Sequence, residues 1–332
     1  MSNNLFVNSL NRIDQATPPI WFMRQAGRYH SHYQKLKEKY TFEQLCKTPE
    51  LASEVACGPV KEFDFDVSIL FSDILFPLQG LGLPLEFNPG PIFGDFINQH
   101  NYKKYTNLDQ AIDHMQFQKE AIKITREQLP QSKSLIGFVG GLWTLLRFAV
   151  DKKNKLFEPQ DFHFEFLEEI LLPLIKKNIQ LQLDAGAEIV MIFDSGLADL
   201  DSDLFKKKYI SLIEDLANSF PNKVGYYCKG KKQDEVKLIL NFPFAGLGID
   251  HHLDIVDFFS NTKNGFIQGN FAESKMLMNE IDLSKEINLY CDKIKNYGSI
   301  KGWVCGLGHG INKETPEKNV HLFIDIIRKR FK

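Results

Sequence analysis

Cysteine is scarce here and unpaired in rhythm: Cys46, Cys57, Cys228, Cys291 and Cys305 are odd in number, widely scattered and nowhere spaced C-x-x-C. That excludes a small disulfide framework and predicts reduced thiols in a cytosolic protein. Long apolar runs are missing as well. The longest, Ile136 to Val150, is too short to span a bilayer and carries Arg147, and the start Met1-Ser-Asn-Asn-Leu-Phe-Val-Asn8 has neither the basic residues nor the sustained apolar core of a signal peptide. The chain is therefore read as neither exported nor inserted in a membrane. No excess of one charge is present either: the formal net charge is -2, so there is no global field for nucleic acid, and an anionic partner must be drawn by a local cluster of cations. A phosphate loop, a nucleophile elbow, H-x-C and E-x-x-H are all absent, and the adjacent pair His251-His252 cannot place both rings on one ion from a strand. What remains is acid/base and electrostatic chemistry, with no metal and no cofactor.

What is present is alternation. The 332 residues, 43% hydrophobic and 25% charged, suffice for one large domain or two small ones. Apolar runs at 19–22, 67–71, 134–139, 188–193, 223–228, 244–249, 265–268 and 302–305 read as buried strands. Between them lie helical segments. His30 to Tyr40 is a polar helix or flap; Thr48-Pro49-Glu50 has the form of a hydroxyl-capped helix start with the helix running to Phe63; Leu108 to Leu129, Phe162 to Gly186 and Asp203 to Phe220 are helices. Thr315-Pro316-Glu317 opens a last helix with Val320, Phe323, Ile324 and Ile327 on one face, and Pro77 to Gly94 is an excursion with a small hairpin. About eight strand-then-helix units without a linker predict a single (β/α)8 barrel domain over residues 1–332, TIM-like, with its active-site cleft at the C-terminal ends of the strands. A doubly wound sheet would need a dinucleotide loop after the first strand, and Arg24-Gln25-Ala26-Gly27-Arg28 is not one.

Strand exits carry the chemistry. Arg24 and Arg28 follow the first strand, Asp73 the second, Ser195 the fourth, Lys229 the fifth and His309 the last. In a barrel all six face one mouth. A cationic rim around one carboxylate suits a polyanionic ligand that develops positive charge during reaction.

The motifs Met-Arg-Gln-Ala-Gly-Arg-Tyr at 23–29, Ile-Leu-Phe-Ser-Asp-Ile-Leu at 69–75, Gly-Phe-Val-Gly-Gly-Leu-Trp-Thr-Leu at 137–145, Phe-Asp-Ser at 193–195, Gln-Gly-Asn at 268–270 and Gly-His-Gly-Ile at 308–311 resemble the uroporphyrinogen decarboxylase family, in order along nearly the whole chain. The resemblance implies a distorted barrel, a homodimer, and cofactor-free removal of four acetate carboxyls from a tetrapyrrole substrate, uroporphyrinogen, giving coproporphyrinogen in haem biosynthesis. It implies that Asp73 meets the pyrrole N–H groups and stabilises the cation formed on ring protonation, with Arg24 and Arg28 as carboxylate binders and proton deliverers. It further implies a substrate-binding set of Arg24, Gln25, Ala26, Gly27, Arg28, Asp73, Phe148, Ser195 and His309, with Lys37 and Lys229 in support. Departures are visible. Phe148 stands where the family usually has a tyrosine, Lys37 where an arginine is usual, Leu142 replaces a proline, His251 follows Asp250 in place of a different residue, and Ala272-Glu273 replaces Asp-Pro. The alternatives are a divergent paralogue of the superfamily: a corrinoid-linked methyltransferase with zinc held by His and Cys at strand ends, or a non-catalytic porphyrinogen binder. Against the first, Tyr227 and Lys229 occupy the region of the expected His-x-Cys, and His309 that of the last cysteine.

Overall fold

Runs that are apolar at every position, rather than at alternate ones, must be covered on both faces, which is the condition for a parallel sheet wrapped by helices. In the computed structural model, which describes residues 4–88, 90–151, 153 and 157–332, these runs form seven parallel strands. They are β1 (Val67–Ile69), β4 (Ser134–Gly140), β5 (Val190–Asp194), β6 (Val224–Cys228), β7 (Gly246–Gly248), β8 (Phe266–Phe271) and β9 (Trp303–Leu307), hydrogen-bonded in that order. The predicted excursion contains the helix Phe76–Gly80 and then an antiparallel hairpin of β2 (Leu85–Phe87) and β3 (Pro91–Phe93). Pro89, within the hairpin loop, and Met1 to Asn3, part of the N-terminal reading above, lie outside the described residues.

The expected first strand is reduced to a single bridge, Ile20 with Cys305. Prolines 18 and 19 have no N–H to donate, and the Ile20 N–H is taken by the Asp66 carboxylate at 2.8 Å, so a longer ladder cannot form. The segment still stands between the two end strands: Cys305 N–H donates to Pro19 O at 2.8 Å, and Asp66 N–H to Ile20 O at 3.0 Å. It is the eighth stave of a distorted TIM-like barrel.

Strand side chains sort into two layers with a period of two. Ile69, Ile136, Met191, Tyr227, Phe266 and Val304 form an inner cluster, while Leu135, Val190, Ile192, Tyr226 and Ile267 belong to the larger outer core under the helices. The helix Asn4–Leu10 adds Phe6 to the inner cluster, its ring 5.9 Å from Phe266, and Ser9 Oγ donates to Trp303 O at 2.9 Å. Phe6 thus plugs the barrel end opposite the strand exits.

Several helix readings are corrected. Thr48 makes no side-chain cap; the hydroxyl that does is Thr41, in a capping box with Gln44, although the next helix does run Pro49–Phe63. Pro316, not Thr315, occupies the N-cap of Glu317–Arg330. Leu108–His114 and Gln116–Gln128 are separate helices meeting at Met115. The two later long helices each contain a π-helical stretch, Phe166–Leu171 just before Pro173, which has no N–H to give, and Phe205–Tyr209. Ser31–Lys37 buries Tyr33 and Leu36, so it is docked on one face and is no free flap. Among the described residues no helix is long and apolar enough to cross a membrane, and all five cysteines are buried and free.

Candidate active site

The open end of the barrel holds a cavity. Its floor and walls are apolar, from Ile69, Leu70, Phe71, Ile74, Phe138 and Phe193; its polar groups include Arg24, Asp73, Ser195, Tyr227 and His309. Four of the six residues expected at the mouth therefore meet: Arg24, Asp73, Ser195 and His309. Ala26 lines the same cavity. Arg28, Lys229, Gln25, Gly27, Phe148 and Lys37 are off its lining.

Arg24 owes its place to a stapled turn. Its backbone lies in the left-handed region, φ 62°, a conformation seldom adopted by a non-glycine residue. Gln25 holds that turn: its side-chain oxygen accepts from Phe22 N–H at 3.2 Å and its amide donates to Val67 O at 2.8 Å. Gln25 is buried and internally satisfied, a brace in place of a ligand contact. On the other side Ile311 N–H donates to Met23 O at 3.0 Å, and a Cβ on Gly310 would meet Arg24 Cδ at 2.6 Å, so the glycine after His309 makes room for the arginine stem. Arg24 and Arg28 are both exposed, as is Lys37 in the last turn of its helix, but of the two arginines Arg24 alone lines the cavity.

Asp73 stands past β1 with Oδ1 accepting from Leu75 N–H at 2.9 Å; Oδ2 has no partner among the described residues. Burial among apolar side chains pushes its carboxyl up to about 6, against the Leu75 N–H and Arg24, which favour the charged form. It is thus ionised at neutral pH but poorly solvated, the state of a carboxylate that gains from a cation placed beside it.

Ser195 is positioned by the buried carboxylate before it. Asp194 accepts from Thr144 N–H at 2.8 Å, Thr144 Oγ1 at 2.7 Å, Tyr226 Oη at 2.9 Å and also Tyr209 Oη, which the π-helical stretch brings in. Gly196 N–H closes the loop onto Thr144 Oγ1 at 2.9 Å. The close approach explains the second glycine of Gly140-Gly141: a Cβ on Gly141 would meet Asp194 Cβ at 2.3 Å. Full burial raises the Asp194 carboxyl against these four donors. Phe148, on the helix Leu142–Ala149 that begins at this brace, is half-buried with its ring 6.3 Å from Phe93 of the hairpin.

His309 is held low, to about 4, by burial first and then by Lys229 and Arg24. Its Nδ1 lies 2.9 Å from Tyr227 Oη, which is also 2.9 Å from Gly308 O. Sequence reading missed Tyr227 as a site residue; the available signal was parity, because of two neighbouring strand residues one must face inward. Outside the cavity, His251 and His252 lie in a turn after β7, not on a strand, and with Asp250 bring three potential ligand atoms within 4.8 Å, which corrects the argument from spacing. Backbone N–H groups of Gly230 and His252 already approach both Asp250 oxygens, at 3.3 and 3.4 Å. His30-Ser31-His32 is an H-x-H spacing that the sequence reading overlooked; its rings are 5.6 Å apart and it too is off the cavity lining.

Against known proteins, a family model described as "Uroporphyrinogen decarboxylase (URO-D)" matches residues 1–330. Proteins named uroporphyrinogen decarboxylase from Neorickettsia sennetsu and Orientia tsutsugamushi are each 33% identical, over 93% and 97% of this chain and 97% of their own. One from Thermus thermophilus is 29% identical over 98% of both chains. Among solved structures, a methyltransferase from Methanosarcina mazei superposes over 100% of both chains with a TM-score of 0.82 at 16% identity, which speaks to the fold alone.

Proposed function

The chain belongs to the uroporphyrinogen decarboxylase family, and from that premise we infer that it removes the four acetate carboxyl groups of uroporphyrinogen to give coproporphyrinogen. Each cycle replaces R–CH2–CO2⁻ and one proton by R–CH3 and CO2. Protonating a pyrrole carbon makes the ring an electron sink; the C–CO2 bond breaks toward it, the methylene takes a proton, and the ring loses the first. The observation that carries the reading is Asp73, a carboxylate with one uncommitted oxygen on an apolar floor below Arg24. Its charge stabilises the cationic ring more than the neutral one, which is what lowers a barrier. Arg24 binds a substrate carboxylate by charge-assisted hydrogen bonds, with Ser195 and His309 recognising others. Arg28 engages the outer part of a macrocycle that extends past the cavity. The remaining parts of the proposal are a single catalytic domain over the whole chain, a cytoplasmic homodimer, and no metal or cofactor.

The test is anaerobic incubation of purified protein with uroporphyrinogen, with and without chelator. Accumulation of coproporphyrinogen at the same rate in both supports the reading, and no decarboxylation by folded protein refutes it. A second reading, the methyltransferase, is favoured by the shared fold. Its zinc would require a thiolate at the mouth, but Cys228 packs in the outer core with its thiol pushed up to about 12. Elemental analysis finding one tightly held zinc per chain would favour it.

A further inference from the structure

The directions of the hydrogen bonds behind His309 are fixed by chemistry. Gly308 O only accepts, and Tyr227 has one phenolic proton, so the 2.9 Å contact between them takes that proton. Tyr227 is buried in the inner cluster and its phenol is pushed well above the usual range, so it keeps the proton. The oxygen of Tyr227 then has only lone pairs to offer Nδ1 of His309, also at 2.9 Å, and a bare Nδ1 there would set lone pair against lone pair. The relay therefore runs Nδ1–H to Tyr227 Oη–H to Gly308 O. Gly308 is itself fixed, its N–H donating to Phe271 O at 2.8 Å.

In this tautomer a neutral His309 presents a lone pair at Nε2, which has no partner among the described residues and belongs to a side chain lining the cavity. A lone pair repels a carboxylate. We propose that Tyr227 is a positioning residue that makes His309 receptive to a substrate carboxylate only after Nε2 takes a proton from solvent, so that each binding event carries one proton into the cavity. This rests on the tetrapyrrole reading for the ligand, not for the relay. The groups that face His309 agree with it. Arg24 from the first loop and Lys229 after β6 disfavour the imidazolium in the free protein, with His251 acting in the same sense and Asp250 opposing. A bound carboxylate offsets the cations and pairs with Nε2–H directly, so the ring charges on binding. Asp73 is the other titrating group of the cavity and must be separated experimentally.

The experiment has two arms. In the free protein, 15N shifts of His309 near pH 7 are expected to show protonated Nδ1 and bare Nε2, with Tyr227→Phe releasing the ring to a mixture. Finding Nε2–H in wild type overturns the inference, whatever any ligand does. In the second arm, coproporphyrin III is titrated calorimetrically in two buffers of different ionisation enthalpy from pH 6 to 8. Wild type is expected to take up about one proton per site more than His309→Gln, a control that retains Asp73, and its Kd should weaken about tenfold more per pH unit over the part of that range below the bound-state pKa. Tyr227→Phe should lose at least half of that extra uptake and flatten the profile. Equal uptake in wild type and His309→Gln, or an unaltered profile in a folded Tyr227→Phe, overturns the proposal. A wild type that shows the expected tautomer but binds no porphyrin counts against the tetrapyrrole reading instead.

Discussion

Replacing Asp73 by asparagine tests the electrostatic mechanism and the architecture together, because the two effects have opposite signs. Two unit charges about 4 Å apart in a medium of effective dielectric about 20 attract by about 4 kcal/mol, and losing that in the transition state slows the reaction about a thousandfold. Asparagine also turns one acceptor toward the pyrrole N–H groups into a donor. The fold should respond the other way. The Asp73 carboxyl rises from an ordinary 3.8 to about 6 on folding, so the folded state penalises its ionisation by up to about 3 kcal/mol. The sign follows from the direction: below pH 3.8 the group is protonated in both states and contributes nothing, the penalty grows between 3.8 and about 6, and it is complete above that. The asparagine amide carries no such penalty and can still accept from Leu75 N–H. For a chain of this length about 3 kcal/mol corresponds to a Tm gain of about 4 °C. The assay is coproporphyrinogen formation and thermal melting on one preparation, at about pH 8 and about pH 4. Loss of turnover with a higher Tm at the upper pH and almost no difference at the lower is the expected outcome. Turnover within about threefold of wild type would refute the mechanism, since threefold is only about 0.7 kcal/mol. An unchanged Tm at the upper pH would refute the strained carboxylate.

Other substitutions separate the residues that resemblance groups together. Arg24→Ala should weaken coproporphyrin binding by about 1.5–3 kcal/mol, read as a ten- to hundredfold higher Kd, while Arg28→Ala, off the cavity lining, should cost less than about 1 kcal/mol; equal losses would remove the distinction. Phe148→Tyr should change kcat less than about threefold, because that ring is off the cavity lining, and a wild type inactive until the phenol is restored would mark a decayed paralogue. Thr144→Val strands the Gly196 N–H and removes one donor to Asp194, so urea unfolding should show a loss of about 1–3 kcal/mol with kcat lowered as the Ser195 turn relaxes. Unaltered stability would show that the brace is replaced by water.

The alternation of buried runs and helices made the barrel legible in the sequence, and the strand exits located Asp73, Ser195 and His309. The rest depended on backbone direction, which residue types do not encode. In Arg24-Gln25-Ala26-Gly27-Arg28 every residue looks equally placed, yet the left-handed turn at Arg24 puts one arginine on the cavity, turns Gln25 inward as a brace and leaves the second arginine outside. Tyr226 and Tyr227 differ only in parity: the first goes to Asp194 in the outer layer, the second to His309 in the lumen. Strand register decides that, and register is set by partners far along the chain. Prolines 18 and 19 held a signal that the reading of 19–22 as a full strand passed over: without N–H groups they leave the first stave poorly paired.

The plug formed by Phe6 against Phe266 turns the barrel into a flask. If Asp73 marks the place of reaction, as proposed, the neck by which the macrocycle enters is also the way out for the gas. On the reaction proposed above, a macrocycle seated on the cavity floor would stand in the neck, so substrate, product and the four molecules of CO2 would share one exit.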